Sequence, residues 1–382
     1  MPIDQLLAAT LRGEDSSWPP AWCESKQATL MLERIAYHGI AGLIAGAARA
    51  LAHWPAAVLA PVRDQAIALA MWELRHKVVL GELLAAFADE KIMVLLLKGT
   101  ALAYDQYPSP ATRARGDSDI LIAPAALDAA RSILTRLGYH RQPPDAGIAD
   151  DLALQEVWSL TCGAGTRHHI DIHWQLLNAP ALRGVLEFAT CATDPLPLPR
   201  LGPDARSMNR VLTLLHSCIH RAMHLTSPYF VDGVTYYGGD RLIWANDIDL
   251  LAGVLSEEQW TRFSVLAVQQ GVAAVSLDGL RMAQRSLGTK IPQRVLGELG
   301  AARDEAASAY LLNSGQAGRA WQDLLAIRGW TRKLAYLEAR ALPSARFMRA
   351  KYPGLERRPL VMLHLRRMVD LVRARPGQGE HG

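Results

Sequence analysis

Apolar positions between residues 27 and 90 recur at three- and four-residue steps, first in QATLMLERIAYHGIAGLIAGAARALA and again in QAIALAMWELRHKVVLGELLAAFADE. That spacing lays one apolar stripe along a helix, and the abundance of Ala and Leu favours the same state. The period then changes. IMVLLL, residues 92–97, is a short continuous apolar run closed by Lys98 and Gly99, which predicts a buried strand entering a glycine turn. TALAYDQYPSPATRARG begins as a short helix and is broken by Pro108 and Pro110. SDILIAP predicts a second strand, stopped by Pro124, and AALDAARSILTRLGY an amphipathic helix that ends near Gly138. RQPPDAGIADD reads as a loop, and EVWSLTC and RHHIDIHWQL as two strands joined by GAGT.

Pro195, Pro197, Pro199 and Pro203 crowd into a plausible domain boundary. Beyond it, helical periodicity dominates to the end, interrupted by TSPYFVDGVTYYGGD, which is expected to be a loop. The expected organisation is a helical region over residues 1–81, a mixed α/β unit over 82–193 and a helical domain over 204–382.

Composition changes this picture little. Half of the 382 residues are hydrophobic and a fifth are charged, as in an ordinary globular chain. The net charge of +4 is too mild to argue for nucleic acid by itself. Its distribution is uneven, because residues 328–375 are rich in arginine and lysine. They form either a solvated helical face or a surface for anionic ligands. The four cysteines form no C-x-x-C pair, so reduced thiols in a cytoplasmic protein are expected. MPIDQLLAAT lacks the basic start and apolar core of a signal peptide. No apolar run is long enough to cross a bilayer, and no membrane partner is expected.

The candidate chemistry starts in RARGDSDILI. Asp117 and Asp119 stand one residue apart where a strand begins. Alternate strand residues share a face, so the two carboxylates point one way and Ile120 and Ile122 the other. Like charges so close resist ionisation unless a cation lies between them. Two carboxylates with substrate phosphates suit Mg2+. In HHIDIHW the apolar face is Ile170, Ile172 and Trp174, and the polar face is His169, Asp171 and His173. A third carboxylate on a neighbouring strand could complete a two-metal clamp. Gly99 and Thr100, at a strand end, could bring backbone N–H groups to a phosphate. Crowded carboxylates also imply that Asp119→Asn should leave the metal-free protein as stable as the parent, or slightly more so.

Other readings compete. His169, Asp171 and His173 at alternate strand positions could bind zinc in a hydrolase. His216, His220 and His224 share a helix face, but Arg221 follows His220 where a zinc protease needs Glu after its first His, so they read as core or cleft-lining histidines. Arg113 and Arg115 could meet phosphate or balance the aspartates. Lys98 could contact phosphate or cap a carboxylate. No Gly-Lys-Ser/Thr phosphate loop is present.

Together, LLLKGTALAYDQYP, RARGDSDILI, LTRLGYHR, HHIDIHWQL, LLHSCIHRAMHL and RLIWANDIDLL resemble a bacterial family of uncharacterised nucleotidyltransferases within the DNA polymerase β-like superfamily. The resemblance covers about residues 30–255. It implies an α+β fold: a small mixed β-sheet, polymerase β-like core with N-terminal helices and a helical C-terminal domain over the cleft. By the same resemblance Asp117 and Asp119 bind metal, and Asp171 joins them and assists deprotonation of the acceptor. Lys98, Gly99, Thr100 and Arg113 would contact the nucleotide. Here Gly-Thr stands where the superfamily usually has Gly-Gly or Gly-Ser. His169, His173, His220, His224 and Arg241 are candidates to line the cleft. The implied cofactor is Mg2+ or Mn2+ and the donor a nucleoside triphosphate. The acceptor is unspecified, with a small molecule, peptide or protein expected ahead of nucleic acid. A catalytically silent nucleotide- or partner-binding scaffold is the alternative outside enzymes.

Overall fold

The computed structural model describes residues 2–373 except 23, 49, 143–152, 226–227, 232–233, 238, 343–344, 346–347, 350–351, 353 and 356. Most of the expected loop RQPPDAGIADD therefore lies outside the described residues. The periodic stretch at the front resolves into helices α1 (Ile3–Leu11), α2 (Glu24–His38), α3 (Ala41–Gly46) and α4 (Ala56–Asp89). At 1.5 Å per residue the 34-residue α4 is about 50 Å long, and it runs unbroken through residues 81 and 82. Its first half buries Val58 and Val62 in one core. Its second half buries Leu80, Leu83, Leu84 and Phe87 in another.

The chain then alternates: β1 (Val94–Leu96), α5 (Lys98–Asp105), β2 (Asp117–Ile122), α6 (Leu127–Arg136), β3 (His140–Arg141), β4 (Gln155–Thr161) and β5 (Arg167–His173). After α7 (Phe188–Cys191), the proline-rich stretch adds two short strands, β6 (Leu196–Pro197) and β7 (Arg206–Ser207). All seven strands form one mixed sheet, ordered β3-β4-β5-β2-β1-β7-β6. β1 pairs antiparallel with β2, and β2 pairs parallel with β5. The parallel pair requires a crossover, which α6, β3 and β4 supply. The chain thus has an α+β fold built on a mixed sheet.

Strand alternation divides the two cores. Leu96, Ile120, Ile122, Ile170 and Ile172 pack on one face against α6 and the second half of α4. Leu95, Leu97 and Leu121 face the other way, towards the helices of the N- and C-terminal parts. The D-x-D aspartates lie on this second face.

The C-terminal part comprises α8 (Arg210–His224), a hairpin of β8 (Pro228–Val231) and β9 (Val234–Tyr237), α9 (Leu242–Val254), α10 (Glu257–Gln269), α11 (Ala273–Leu287), α12 (Gln293–Ala301), α13 (Ala306–Ser308), α14 (Gln316–Ala326), α15 (Trp330–Ala341) and a last helix, Leu360–Arg373. The hairpin corrects the loop expected from TSPYFVDGVTYYGGD. Its two runs are aromatic and β-branched, and they pair antiparallel from Pro228–Tyr237 to Val231–Val234. At the start of α8, Asn209 accepts a hydrogen bond from Leu212 N at 3.1 Å, an N-cap that fixes where this histidine-bearing helix begins.

Candidate active site

Asp119 sits opposite Asp171 across the parallel pair, Asp117 opposite His169, and Leu121 opposite His173. Paired residues on adjacent strands share a face, so the register gathers the polar residues of β2 and β5. Ligand-capable atoms of Asp119, Asp171 and His173 lie within 4.8 Å of one another. Asp117 is on the same face, two residues earlier, at the exposed end of β2. A zinc site on β5 alone needs His169, whereas the grouped atoms include Asp119 instead.

The Asp119 carboxylate is engaged twice at one oxygen. Lys98 Nζ donates to Oδ1 at 2.6 Å, and His173 Nε2 lies 2.9 Å from the same atom. Burial alone would raise the Asp119 carboxyl. The Lys98 charge and the His173 hydrogen bond outweigh it and hold the group well below the ordinary carboxylate range. Asp117 moves the other way: desolvation first, then the negative charge of Asp119, raises its carboxyl. Its side chain remains open to solvent. Burial lowers the His173 pKa, and the neutral ring donates from Nε2 to Asp119. Its Nδ1 has no hydrogen-bond partner among the described residues.

Lys98 reaches this position from the first residue of α5, with a φ of +48°. A lysine enters that left-handed region at a cost of roughly 1–2 kcal/mol, which the surrounding contacts must offset. The next two residues, Gly99 and Thr100, are in the first turn of α5, where N–H groups lack partners within the helix. The Thr100 hydroxyl is turned inward. It lies 2.8 Å from Ser118 Oγ and accepts from Arg115 Nε at 3.0 Å.

Ser118 points to the reverse face of the sheet, between the two aspartates in sequence. There His76 Nε2 of α4 lies 2.6 Å from its hydroxyl, and His76 Nδ1 meets His168 Nδ1 at 3.1 Å. Arg115 Nη2 lies 2.7 Å from Glu73 Oε2, both buried, though the approach is outside hydrogen-bond geometry. Glu73 also accepts from Tyr104. This network fastens the start of β2 to α4 and α5.

Arg113 makes a forked contact with Asp247 of α9, Nη2 to Oδ2 at 2.7 Å and Nε to Oδ1 at 2.8 Å. Tyr107 donates to the same carboxylate at 2.6 Å, and Asn246 donates to Tyr107 at 2.9 Å. The loop that carries Arg113 is pressed against α3 at Gly42, where a Cβ would come within 2.8 Å of Thr112 Cα. Side chains at residue 42 would push this loop away from the site.

Helices α8 and α9 cover the carboxylate face. Lys98, Arg113, His216, His220, Trp244 and Asp247 line a narrow cleft of about 20 Å³, room for about one water molecule. His216 is buried and its pKa falls to about 3, through desolvation and then the charge of Lys98. His220 is pushed well below its ordinary value by burial and the neighbouring His224. His224 falls to about 4, again through burial and then Lys98. The rings of His220 and His224 are 4.5 Å apart, and Trp244 lies 6.0 Å and 6.1 Å from them. Arg241 instead donates from Nε to Tyr37 O at 2.6 Å, tying α9 to the end of α2. His169 is half-buried on β5, beside Asp117 and outside the close group.

Sequence reasoning does not single out Glu73, His76, Tyr107 or Asp247. Asp247 had a signal, since it is the first of the two acids, Asp247 and Asp249, in the RLIWANDIDLL segment. Its pairing with Arg113 spans 134 residues and is not a local property.

A mixed sheet with a D-x-D strand paired in parallel to a third aspartate, roofed by helices, fits a nucleotidyl-transfer role. The chain belongs to the family described as uncharacterised nucleotidyltransferase, whose model matches residues 24–288. No curated protein matches the chain.

Proposed function

We propose that the protein moves a nucleoside monophosphate from a nucleoside triphosphate to an acceptor, and that the unit over residues 82–193 carries the reaction. The observation that supports this most is the register that sets Asp119 beside Asp171, with His173 completing a group of ligand atoms within 4.8 Å. Two carboxylates and an imidazole are a fitting donor set for a divalent cation. Asp119 already binds a positive charge, the Lys98 ammonium. Asp119 and Asp171 would hold Mg2+ or Mn2+, with Asp117 at the open end of the strand. The cation would supply charge neutralisation at the phosphates and activation of the acceptor.

The chain's own residues do the rest. An acceptor oxygen attacks the α-phosphorus, the bond to the bridging oxygen breaks, and pyrophosphate leaves with that electron pair. Asp171 takes the acceptor's proton. Lys98, exchanged from Asp119, faces the triphosphate, and the first-turn N–H groups of Gly99 and Thr100 bind its oxygens. Arg113, held by Asp247, keeps a positive charge beside the same phosphates. His216, His220 and His224 stay neutral and wall the cleft against water. The narrow cleft means that α8 and α9 must shift for a nucleotide to enter.

A second reading draws on the Lys98–Asp119 pair: a scaffold that binds nucleotide or a partner without turnover. One experiment separates the two. The protein is incubated with each of the four nucleoside triphosphates, Mg2+ or Mn2+ and a cell extract as the acceptor source, and pyrophosphate release is measured. Release above the extract alone, abolished by a chelator, supports transfer. Nucleotide binding without release supports the scaffold.

A further inference from the structure

The last helices present a second surface, independent of the transferase reading and beyond the matched segment, which ends at residue 288. They bury little. In α15 only Tyr336 is buried, and it packs in a small cluster with Ile327. In the last helix Leu363 is buried, in a cluster with Met348 and Tyr352. The larger apolar residues point outward. Trp330 is 81 % exposed and Leu334 63 %, with Leu337 also open. These positions follow steps of four and three, so they form one stripe on α15. Val361, at 69 %, Leu365, at 61 %, Met362, Met368 and Val369 form a second stripe on the last helix. Trp321 and Leu325 of α14 add a shorter one. Exposed apolar groups gathered in this way mark a surface that meets something.

Charge identifies the partner. Residues 328–375 contain thirteen lysines and arginines against three acids, in a chain whose total is only +4. On a helical projection Lys333 and Arg340 flank the α15 stripe and Arg366 flanks that of the last helix, and Arg358 is exposed just before that helix begins. A second copy of this chain docking by the same face would bring two strongly positive surfaces together. A nucleic acid would use the cations and leave the Leu, Met and Val stripes without a partner. An anionic bilayer uses both: apolar side chains enter the headgroup boundary, tryptophans sit at the interface, and the basic flanks meet lipid phosphates.

We infer that the helices over residues 316–373 bind the surface of an anionic membrane, lying along it without crossing. None of the helices is long and apolar enough to cross, among the described residues. A helix lying in the interface needs no such length.

The test is flotation of the full chain with vesicles of pure phosphatidylcholine and with vesicles that also contain phosphatidylglycerol, at ~0.1 M salt. The protein should float with the anionic vesicles alone, and raising the salt should weaken the association. The double variant Leu334→Ser/Leu365→Ser removes two exposed apolar groups and should bind about tenfold more weakly or worse. Arg358→Gln/Arg366→Gln should also weaken binding. Both variants should melt as the parent does, since all four side chains are exposed. Failure of the parent to float with anionic vesicles overturns the inference. So does flotation that is indifferent to Leu334→Ser/Leu365→Ser, or self-association of the parent in sedimentation that this variant abolishes. Transfer activity is no part of the readout.

Discussion

Arg113 and Asp247 form a two-pronged ion pair, largely buried, between the loop that enters β2 and the middle of α9. It joins the sheet to the helical roof beside the carboxylates, and Tyr107 donates to the same Asp247 oxygen. Removing one partner of a buried pair leaves the other charged and unsolvated, at a cost of about 3–5 kcal/mol. Asp247→Ala should therefore lower the melting temperature sharply. Arg113→Lys should also destabilise, because an ammonium cannot reproduce the fork. Thermal melting of the two variants checks this. A near-parental curve for Asp247→Ala would show that the roof is held elsewhere.

The Lys98–Asp119 contact reverses an expectation about stability. Read as crowded carboxylates, Asp119→Asn ought to be neutral or stabilising. In the structure Asp119 holds the Lys98 ammonium at 2.6 Å and His173 at 2.9 Å. Asparagine would keep an acceptor oxygen and lose the charge. Asp117 and Asp171 still attract Lys98, which limits the loss. Asp119→Asn should thus be less stable than the parent by about 1–3 kcal/mol without metal. It should also lose most of the thermal shift that Mg2+ and nucleotide produce, because ligand stabilises only the state that binds it. A variant that melts lower yet keeps the full shift would make Asp119 a structural residue alone.

Buried histidines set a pH dependence. His216 and His224 titrate at about 3 and about 4 in the folded protein, and His76, desolvated and facing Arg115, at about 2. Unfolded, each titrates near 6.5. Below that pH the unfolded chain takes up protons that the folded one refuses, so stability falls as pH falls. The window opens at about 6.5 and closes at about 4 for His224, about 3 for His216 and about 2 for His76. Between pH 7.5 and 5.5 each of the three should cost about 1.4 kcal/mol. Asp117 opposes the trend in part, since its raised carboxyl binds a proton earlier in the folded state. Denaturant midpoints at the two pH values measure the balance. Equal or greater stability at pH 5.5 would contradict it.

Much of the sheet side of the site was legible in the sequence. The period of two in DSDILI and HHIDIH assigns the aspartates to one face and the isoleucines to the other, and both cores follow that division. The same parity placed His173 on the face of Asp171. What stayed hidden is non-local. Strand order and the Asp119–Asp171 register depend on a crossover through α6, β3 and β4, which local periodicity does not encode. Thr100 offers a hydroxyl in either orientation, and only the packing of Ser118 and Arg115 turns it inward. Arg113 beside a D-x-D suggests a phosphate contact, and Asp247 enters only when α9 folds over the sheet. The β8–β9 hairpin stands where a loop is expected, because two short aromatic and β-branched runs find each other as partners.

The central claim is that the carboxylates of β2 and β5 carry nucleotidyl transfer. Its most direct test is the fate of label from nucleoside triphosphates marked separately at the α- and γ-phosphates, with Mg2+ and a cell extract, for the parent and Asp171→Asn. The account predicts α-label on an acceptor and γ-label in pyrophosphate. It also predicts a loss of about 100-fold or more in Asp171→Asn, with its fold intact by circular dichroism. Appearance of γ-label on the acceptor, or undiminished α-label transfer by Asp171→Asn, would contradict it.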